Sequence, residues 1–173
     1  MAKTTTTKKT TTAKKTTATK SAAVKKSTTA AKKLSSKDIL AMLKAKYDEA
    51  FDDGGVYCIK KGGKWGFADA KGEIKIKPTC TGIGEEWIED IITTWAASGI
   101  GFVNKQLREI VKPQFRNATP FRKGFAAVRQ KNGKWGIIDN KGKTVVPFVF
   151  DNIEYTSSGK IEATIGTFKF TTK

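Results

Sequence analysis

Carboxylates are the side chains of this sequence to consider first as catalytic groups. The sequence has one acidic cluster, formed by Glu85, Glu86, Glu89 and Asp90. Paired carboxylates can serve as general acid and base. Because Trp87 and Ile88 interrupt the cluster, we interpret it instead as the solvent-exposed face of a segment that joins two repeats. The sequence has no histidine, which excludes a Ser-His or Cys-His nucleophile pair and the commonest zinc ligand.

Two cysteines are the other candidate nucleophiles. Cys58 and Cys80 lack the spacing of metal ligands, and we predict two reduced, partly buried thiols, with a disulfide as the alternative. The glycine pairs at 54–55 and 62–63 lack the following helix and Lys-Ser/Thr of a phosphate-binding loop. We therefore predict no catalytic residue, no metal or other cofactor and no small-molecule substrate: the protein is not expected to be an enzyme.

Lysine is the residue type with the clearest chemical meaning. Residues 1–38 hold eleven lysines and one acid, Asp38, so they carry +10 of the formal net charge of +17. Flexible lysine arms bind polyanions by displacing counterions, without reading sequence. We predict that this tail binds nucleic acid or another polyanion through four lysine doublets: Lys8 and Lys9, Lys14 and Lys15, Lys25 and Lys26, and Lys32 and Lys33.

Three other interpretations of the tail remain open. Residues 1–36 are rich in threonine and lysine and contain no aromatic residue, so they are predicted to be disordered. On the first interpretation they only keep the protein in solution. An organelle transit peptide fits the low acid content but not the absence of arginine before Arg108. Attraction to an anionic membrane is disfavoured because nothing apolar is available to insert. No apolar run is long enough for a membrane span or secretory signal, which predicts a cytoplasmic protein.

A repeat of about 35 residues must position everything else. Gly-Lys-Trp-Gly followed by an apolar residue occurs at 63–67 and 133–137, with a fainter copy at 98–102. Two other sets of residues repeat every 35 residues: Gly66, Gly101 and Gly136; and Asp69, Asn104 and Asp139. A third set, Pro78, Pro113 and Pro147, has spacings of 35 and 34. Such a period marks supersecondary units that bury their apolar faces only against neighbours.

Within each unit, short β-type segments alternate with Gly- and Asn-containing turns. This pattern predicts a mainly β protein of tandem three-stranded meanders, with each proline ending a third strand. The domain is predicted to span 52–173, with units at about 52–86, 87–121 and 122–156 and a truncated fourth at 157–173 covering the edge of the third. Ser35 and Asp38 are spaced as a capping box, which predicts a capping helix within 37–51 that packs on the first unit.

These motifs resemble the WG-repeat (KWG-repeat) proteins, which are common in bacteria. The resemblance rests on the Gly-Lys-Trp-Gly segments, on the Phe-x-x-Gly-x-Ala-x-Val stretch at 121–128 and on the Val-x-Pro exit strand. It implies β-hairpin repeats used mainly as interaction scaffolds, with no shared catalytic residues. The middle unit departs from the pattern, since Gln106 and Leu107 replace the turn Lys and Gly, which argues against its second hairpin. By composition, the tail resembles the Lys/Ala/Thr tails of linker-histone-like bacterial proteins.

The four tryptophans divide into two pairs. Trp65 and Trp135 share one repeat position, so we predict that both pack on the neighbouring unit. Trp87 and Trp95 have no counterpart, because Arg122 and Gln130 stand 35 residues after them. Residues that break a repeat are candidates for a specific contact, and we predict Trp87 and Trp95 as partner-binding, with filling of the degenerate unit's core as the alternative.

The sequence thus favours a non-enzymatic accessory scaffold. Its tail would bind nucleic acid or another polyanion nonspecifically, and its repeat domain would dock a protein partner. The alternative is a pure protein-interaction or structural component of a larger bacterial or phage assembly, in which the tail only solubilises.

Overall fold

Within residues 34–172, the strands form four antiparallel sheets, each made from consecutive strands. The computed structural model describes residues 34–172. Its elements are the helix α1 (Ser36–Lys44); sheet 1, with β1 (Glu49–Asp52), β2 (Tyr57–Lys61), β3 (Lys64–Ala68) and β4 (Ile74–Cys80); sheet 2, with β5 (Gly82–Ile83), β6 (Ile91–Ala96), β7 (Gly99–Asn104) and β8 (Glu109–Phe115); sheet 3, with β9 (Asn117–Ala118), β10 (Phe125–Arg129), β11 (Trp135–Asp139) and β12 (Thr144–Phe150); and sheet 4, with β13 (Asn152–Tyr155), β14 (Ile161–Ile165) and β15 (Phe168–Thr171).

The predicted fold class, a mainly β array of tandem meanders, is confirmed. Sheets 1 to 3 have four strands instead of the predicted three, because a short first strand precedes each hairpin. In sheets 2 and 3 this strand follows directly on the previous sheet's last strand, at residues 82 and 117. Sheets 2, 3 and 4 therefore begin, at residues 82, 117 and 152, five residues before the boundaries at 87, 122 and 157 that the sequence suggests.

The helix caps the array as predicted but is shorter. Its capping box is present, since Asp38 N donates to Ser35 Oγ at 3.2 Å and Ser35 N donates to Asp38 Oδ2 at 3.1 Å. The predicted extension to residue 51 is wrong. Residues 49–52 pair with β2 instead, because the sheet supplies their backbone hydrogen bonds.

Both faces of each inner sheet are buried against a neighbour. Four apolar clusters follow one another along the chain, and each joins two consecutive elements. The first holds Ile39, Leu43, Tyr57 and Ile59, between α1 and sheet 1; the second Cys58, Phe67, Ile92 and Val103, between sheets 1 and 2; the third Phe102, Phe115, Phe121 and Val128, between sheets 2 and 3; and the fourth Trp135, Ile137, Ile153 and Ala163, between sheets 3 and 4. Alternation of side chains along a strand supplies the two faces.

The glycine after each repeat tryptophan allows the last strand of its sheet to cross at close range. A Cβ on Gly66 would stand 2.5 Å from Ile76 O, and one on Gly136 would stand 2.7 Å from Val146 O. Opposite each glycine the last strand bulges: Trp135 pairs with Phe150, but Ile137 pairs with Val146. Pro147 lies inside that bulge, as Pro78 and Pro113 do in theirs. The prolines therefore sit within the strand and do not end it, because bulged residues need no ladder hydrogen bond.

The second hairpin of the middle unit forms despite its departures. Leu107 takes the left-handed conformation, φ 58°, that Gly72 and Gly142 take in the equivalent turns, at 79° and 80°. Its side chain is buried in the cluster between sheets 1 and 2. Burial against the preceding sheet thus offsets a backbone cost that glycine avoids, which the turn residues alone did not indicate.

The truncated fourth unit forms a sheet of its own. Ile153 and Ala163 lie in one cluster with Ala127, Trp135 and Ile137 of sheet 3. The contact is therefore face to face, and the predicted covering of the third unit's edge is wrong.

The close crossing at the repeat glycine gives a stability test. Gly136→Ala should lower the free energy of unfolding by about 1–3 kcal/mol, because the new Cβ meets backbone and the ring of Phe148 at 2.9 Å. The control is Gly82→Ala, whose Cβ would lie 3.4 Å from Trp95 and should change stability by less than about 0.5 kcal/mol. Urea denaturation followed by circular dichroism measures both, and equal midpoints would contradict the close-crossing account.

Candidate functional site

Trp87, a predicted partner-binding residue, is engaged inside the molecule. Its Nε1 donates to Asp53 Oδ2 at 2.9 Å. Its ring lies edge-on to Phe67, with centroids 6.0 Å apart. Both partners belong to the first unit, and the indole is half-buried against the cluster between sheets 1 and 2. Trp87 therefore holds the first two units together in the structure.

Similar loop contacts link the later units. Glu89 accepts hydrogen bonds from the backbone N of Lys123 and, at 2.7 Å, of Gly124. The guanidinium of Arg122 lies 5.7 Å from the ring centroid of Tyr155, within cation–π range. The first contact joins the β5–β6 loop to the β9–β10 loop, and the second joins the β9–β10 loop to the end of β13. Sequence reasoning missed them, although the spacings of 34 and 35 residues between Glu89 and its donors are the repeat period.

The acidic cluster separates into two parts with different surroundings. Glu85, Glu86 and Asp90 are exposed, as predicted for a solvated connecting segment. Glu89 is bound to the third unit's turn, and both Glu89 and Asp90 adopt positive φ, 52° and 60°. Glu89 is occupied by two backbone donors and Asp90 pairs with Lys105 at 3.3 Å, so neither is a free carboxylate for acid-base chemistry.

Trp95, the second predicted residue, is accessible. It lies on β6 and is 39% exposed, and its indole covers Gly82 of the neighbouring strand β5. It lines a cleft of about 250 Å³ between sheets 2 and 3, together with Pro120 and Phe121. Glu85 and Glu86 also border this cleft. The site combines an aromatic wall with two carboxylates, which suits a cationic side chain of a partner.

The repeat tryptophans pack between units, as predicted. Trp135 is 8% exposed and lies in the cluster shared by sheets 3 and 4. Trp65 packs on the cluster between sheets 1 and 2 and edge-on to Phe51, at 5.7 Å between centroids. Lys60 Nζ lies 4.9 Å from the Trp65 ring centroid. Neither indole is free to serve a ligand with its whole face.

The cysteines are reduced and buried, which confirms the prediction of free thiols. Burial raises the pKa of Cys58 to about 12, and the negative charge of Asp53 adds to this shift. Burial also raises the pKa of Cys80. Because the thiolate is the reactive form, neither residue is suited to be a nucleophile at neutral pH.

Thiol chemistry tests this burial. In the folded protein at pH 8, both cysteines should resist a disulfide reagent such as 5,5′-dithiobis(2-nitrobenzoate), because the thiols are protonated and shielded. In denaturant, both of the chain's cysteines should react rapidly. Release of thionitrobenzoate measures the count, and fast reaction of one equivalent under native conditions would contradict the structure.

The lysines fall into two groups. The doublets from Lys8 to Lys33 lie outside the described residues. Within residues 34–172, five lysines form ion pairs with carboxylates: Lys60 with Glu49, Lys75 with Asp69 and Glu73, Lys105 with Asp90, Lys134 with Asp151, and Lys169 with Glu162. Residues 34–173 keep a net charge of +7, from 23 basic and 16 acidic residues.

Two further features are missing from the part of the chain that the structure describes. Residues 34–172 contain no group of three or more His, Cys, Asp or Glu side chains placed to hold a metal ion. The same residues include no helix with the length and apolar character needed to cross a bilayer.

The tryptophans that break the repeat can be compared by mutation. Trp87→Phe should destabilise the domain by about 1–2 kcal/mol, because it removes the donor to Asp53 and leaves that carboxylate unpaired. Trp95→Phe, at a more exposed position, should change stability by less than about 0.5 kcal/mol. Thermal denaturation at matched protein concentration measures both. Equal losses in the two variants would show that Trp87 has no special role between the first two units.

The fold defines a class of protein: an array of antiparallel sheets joined by contacts between consecutive units. The family model described as "WG containing repeat" matches residues 42–65, 65–91, 100–135 and 135–166. These segments cover more than half of the chain, and the chain belongs to the WG-containing repeat family. Among curated proteins, none matches the chain.

Several solved structures align with the chain at low similarity. The computationally designed Ika4 protein is 8% identical, with a TM-score of 0.38, over 70% of this chain and 87% of its own. BamB from Moraxella catarrhalis is 11% identical, with a TM-score of 0.37, over 70% of this chain and 42% of its own. The WD40 β propeller domain of Doa1 is 13% identical, with a TM-score of 0.34, over 65% and 44%. TM-scores below 0.5 support no conclusion about this chain.

Proposed function

We propose that this protein is a non-enzymatic scaffold whose repeat domain docks a protein partner and whose lysine-rich tail binds nucleic acid or another polyanion. One observation carries the first half: the inner sheets bury both faces on their neighbours. Their loops and strand edges are thus the surfaces left for binding. A rigid array with variable loops is an arrangement suited to recognition rather than to catalysis.

Trp95 is the residue that we propose for contact with the protein partner. Large aromatic side chains dominate interface energetics when a partner covers them, and Trp95 combines 39% exposure with a neighbouring cleft. Glu85 and Glu86 border that cleft and would favour a partner that presents lysine or arginine. We propose no such role for Trp87, because the first two units already occupy its ring and its Nε1.

The distribution of charge supports the second half of the proposal. Residues 1–33 contain ten lysines and no acid, whereas five lysines of the repeat domain are already paired with carboxylates. The net positive charge is denser in the tail, +10 over 33 residues, than in residues 34–173, where it is +7 over 140 residues. Such a segment gains affinity for a polyanion by releasing counterions.

Removing the tail tests polyanion binding. Deletion of residues 1–33 should abolish most of the salt-sensitive affinity for duplex DNA or RNA. In the full chain, each neutralised phosphate of duplex DNA contributes about −0.9 to the slope of log K against log salt. Gel shifts at two or more salt concentrations measure the affinity of the full chain and of the shortened chain. A full-length variant with the eight doublet lysines changed to glutamine is the matched control, because it keeps the tail's length.

The result separates the proposal from its alternative. If the deletion and the glutamine variant bind as tightly as the full chain, the tail does not bind nucleic acid. A protein partner that is retained from nuclease-treated lysate by the full chain, the deletion and the glutamine variant would then favour a pure interaction or structural role, in which the tail only solubilises.

A further inference from the structure

We propose that the free edge of β15, with the apolar groove beside it, accepts one extended segment of a protein partner as a fourth strand of sheet 4. This inference rests on the proposed docking function and names a place and a chemistry for it. In sheets 1 to 3 a fourth strand pairs with the third: β4 with β3, β8 with β7, and β12 with β11. Among residues 34–172, no strand occupies the corresponding position beside β15.

The groove is apolar and lies between sheets 3 and 4. Its volume is about 420 Å³, and its walls include Val145, Val146 and Phe150 from sheet 3 and Ile161 and Phe170 from sheet 4. Much of the exposed apolar surface of the domain is gathered at this end. Phe168 is 72% exposed, Phe170 is 52%, and Val145 and Val149 are each 45%.

The place equivalent to this groove is filled at the preceding interface, the one between sheets 2 and 3. Between sheets 2 and 3, the turn before β12 brings Gly142 against Ile110 and Val111, where an added Cβ would lie 2.7 Å from Ile110 O. Val145 and Val146 stand 35 residues after Ile110 and Val111. They are the surface on which the next such turn would rest. The groove thus continues a row of inter-unit interfaces, with its last covering segment absent from residues 34–172.

The backbone of β15 is arranged to receive a strand. Ala163 pairs with Phe170, and Thr172 N donates to Ile161 O at 3.0 Å. Because hydrogen-bonded pairs alternate in an antiparallel ladder, the amides of Lys169 and Thr171 point away from β14, toward the free edge. An added antiparallel strand would bond to these two residues, which is the geometry of β-strand addition.

The other outer strands at this side of their sheets are protected against such pairing. β4, β8 and β12 each contain a proline and a bulge, at Pro78, Pro113 and Pro147. Proline and bulges are common means of preventing edge-to-edge pairing. β15 contains neither, and its register with β14 is regular. β15 therefore combines an edge without proline or bulge with an adjacent apolar groove, which is why we propose it as the binding site.

The chain's own fourth strands indicate the chemistry of the partner. β12 places Val146 and Phe150 opposite Ile137 and Trp135, with Pro147 in the bulge between them. β8 places Val111 and Phe115 in the same way. In sheet 4, however, Phe170 occupies the ladder position of the crossing glycine in sheets 1 and 2, so a proline bulge has no room to cross β15. The expected partner segment is therefore a regular extended strand with branched apolar or aromatic residues at alternate positions.

A peptide with the sequence of residues 140–151 but with valine in place of Pro147, NKGKTVVVFVFD, is the probe for this test. It has two lysines and one aspartate, so its charge does not attract it to the lysine-rich tail. Labelled with a dye of no net charge and added to the full chain, it should bind saturably in fluorescence anisotropy. A scrambled peptide of the same composition should not bind. Absence of saturable binding, or equal binding of the scrambled peptide, would overturn the proposal.

Two variants locate the binding. Thr171→Pro removes the outward amide without removing a bond to β14, and it should weaken peptide binding at least about fivefold, whereas Thr171→Val keeps the amide and should stay within about twofold. If Thr171→Pro unfolds the domain, Val145→Asp decides, because it places a charge in the groove from sheet 3 and should also weaken binding at least about fivefold. Unchanged binding in the folded variants would overturn the proposal.

Two further outcomes separate this inference from others. A lysate protein that is bound equally by the wild type and Thr171→Pro would refute the β15 site and leave the scaffold function intact, whereas a wild type that binds no protein at all would refute the scaffold function itself. Sedimentation that shows a dimer, converted to monomer by Thr171→Pro, would assign this edge to a second copy of the chain and overturn the proposal of a partner protein.

Discussion

Face-to-face burial of consecutive sheets is the interaction on which the rest of the structure depends. Cys58 and Phe67 on one face of sheet 1 meet Ile92 and Val103 of sheet 2. On the opposite face, Tyr57 and Ile59 meet the helix. A sheet of four short strands cannot hide two apolar faces alone, so each unit is stable only between neighbours. The helix and the polar outer side of sheet 4, with Glu154, Glu162 and Lys169, lie at the two ends of the series that residues 34–172 form.

The repeat period predicted the composition of this stack well because it reflects steric requirements. The glycine at 66, 101 and 136 is needed wherever the last strand crosses within van der Waals distance. The Asp or Asn at 69, 104 and 139 accepts backbone hydrogen bonds within its turn: Asp139 Oδ1, for example, accepts from Lys141 N and Lys143 N, both at 2.9 Å. These hydrogen bonds, chiefly the one from Lys143 N, hold the pKa of Asp139 below its usual range. Such local rules are visible in a single sequence.

Features set by tertiary packing could not be predicted in this way. Leu107 stands where the other units have a turn glycine, which argued against the hairpin, yet its buried side chain holds the residue at positive φ. The pairing of β10 with β11 is displaced by one residue. Ile59 and Thr94 are 35 residues apart and pair with Gly66 and Gly101. The next residue at that spacing is Arg129, but Gly136 pairs with Val128 instead. The longer turn after β10 causes the slip. Of the candidate site residues, the sequence indicated that Trp87 and Trp95 were unusual, but only geometry distinguishes the engaged indole from the accessible one.

The loop contacts have a consequence for how the chain folds. Asp53 and Trp87 are 34 residues apart in sequence, and Glu89 is 34 and 35 residues from its two donors. Interactions of this kind close short loops, whose entropy cost is modest. Folding can therefore begin at any adjacent pair of units and spread outward, as in a one-dimensional lattice with nearest-neighbour coupling. The terminal units, each with one neighbour fewer, are where such a lattice opens first.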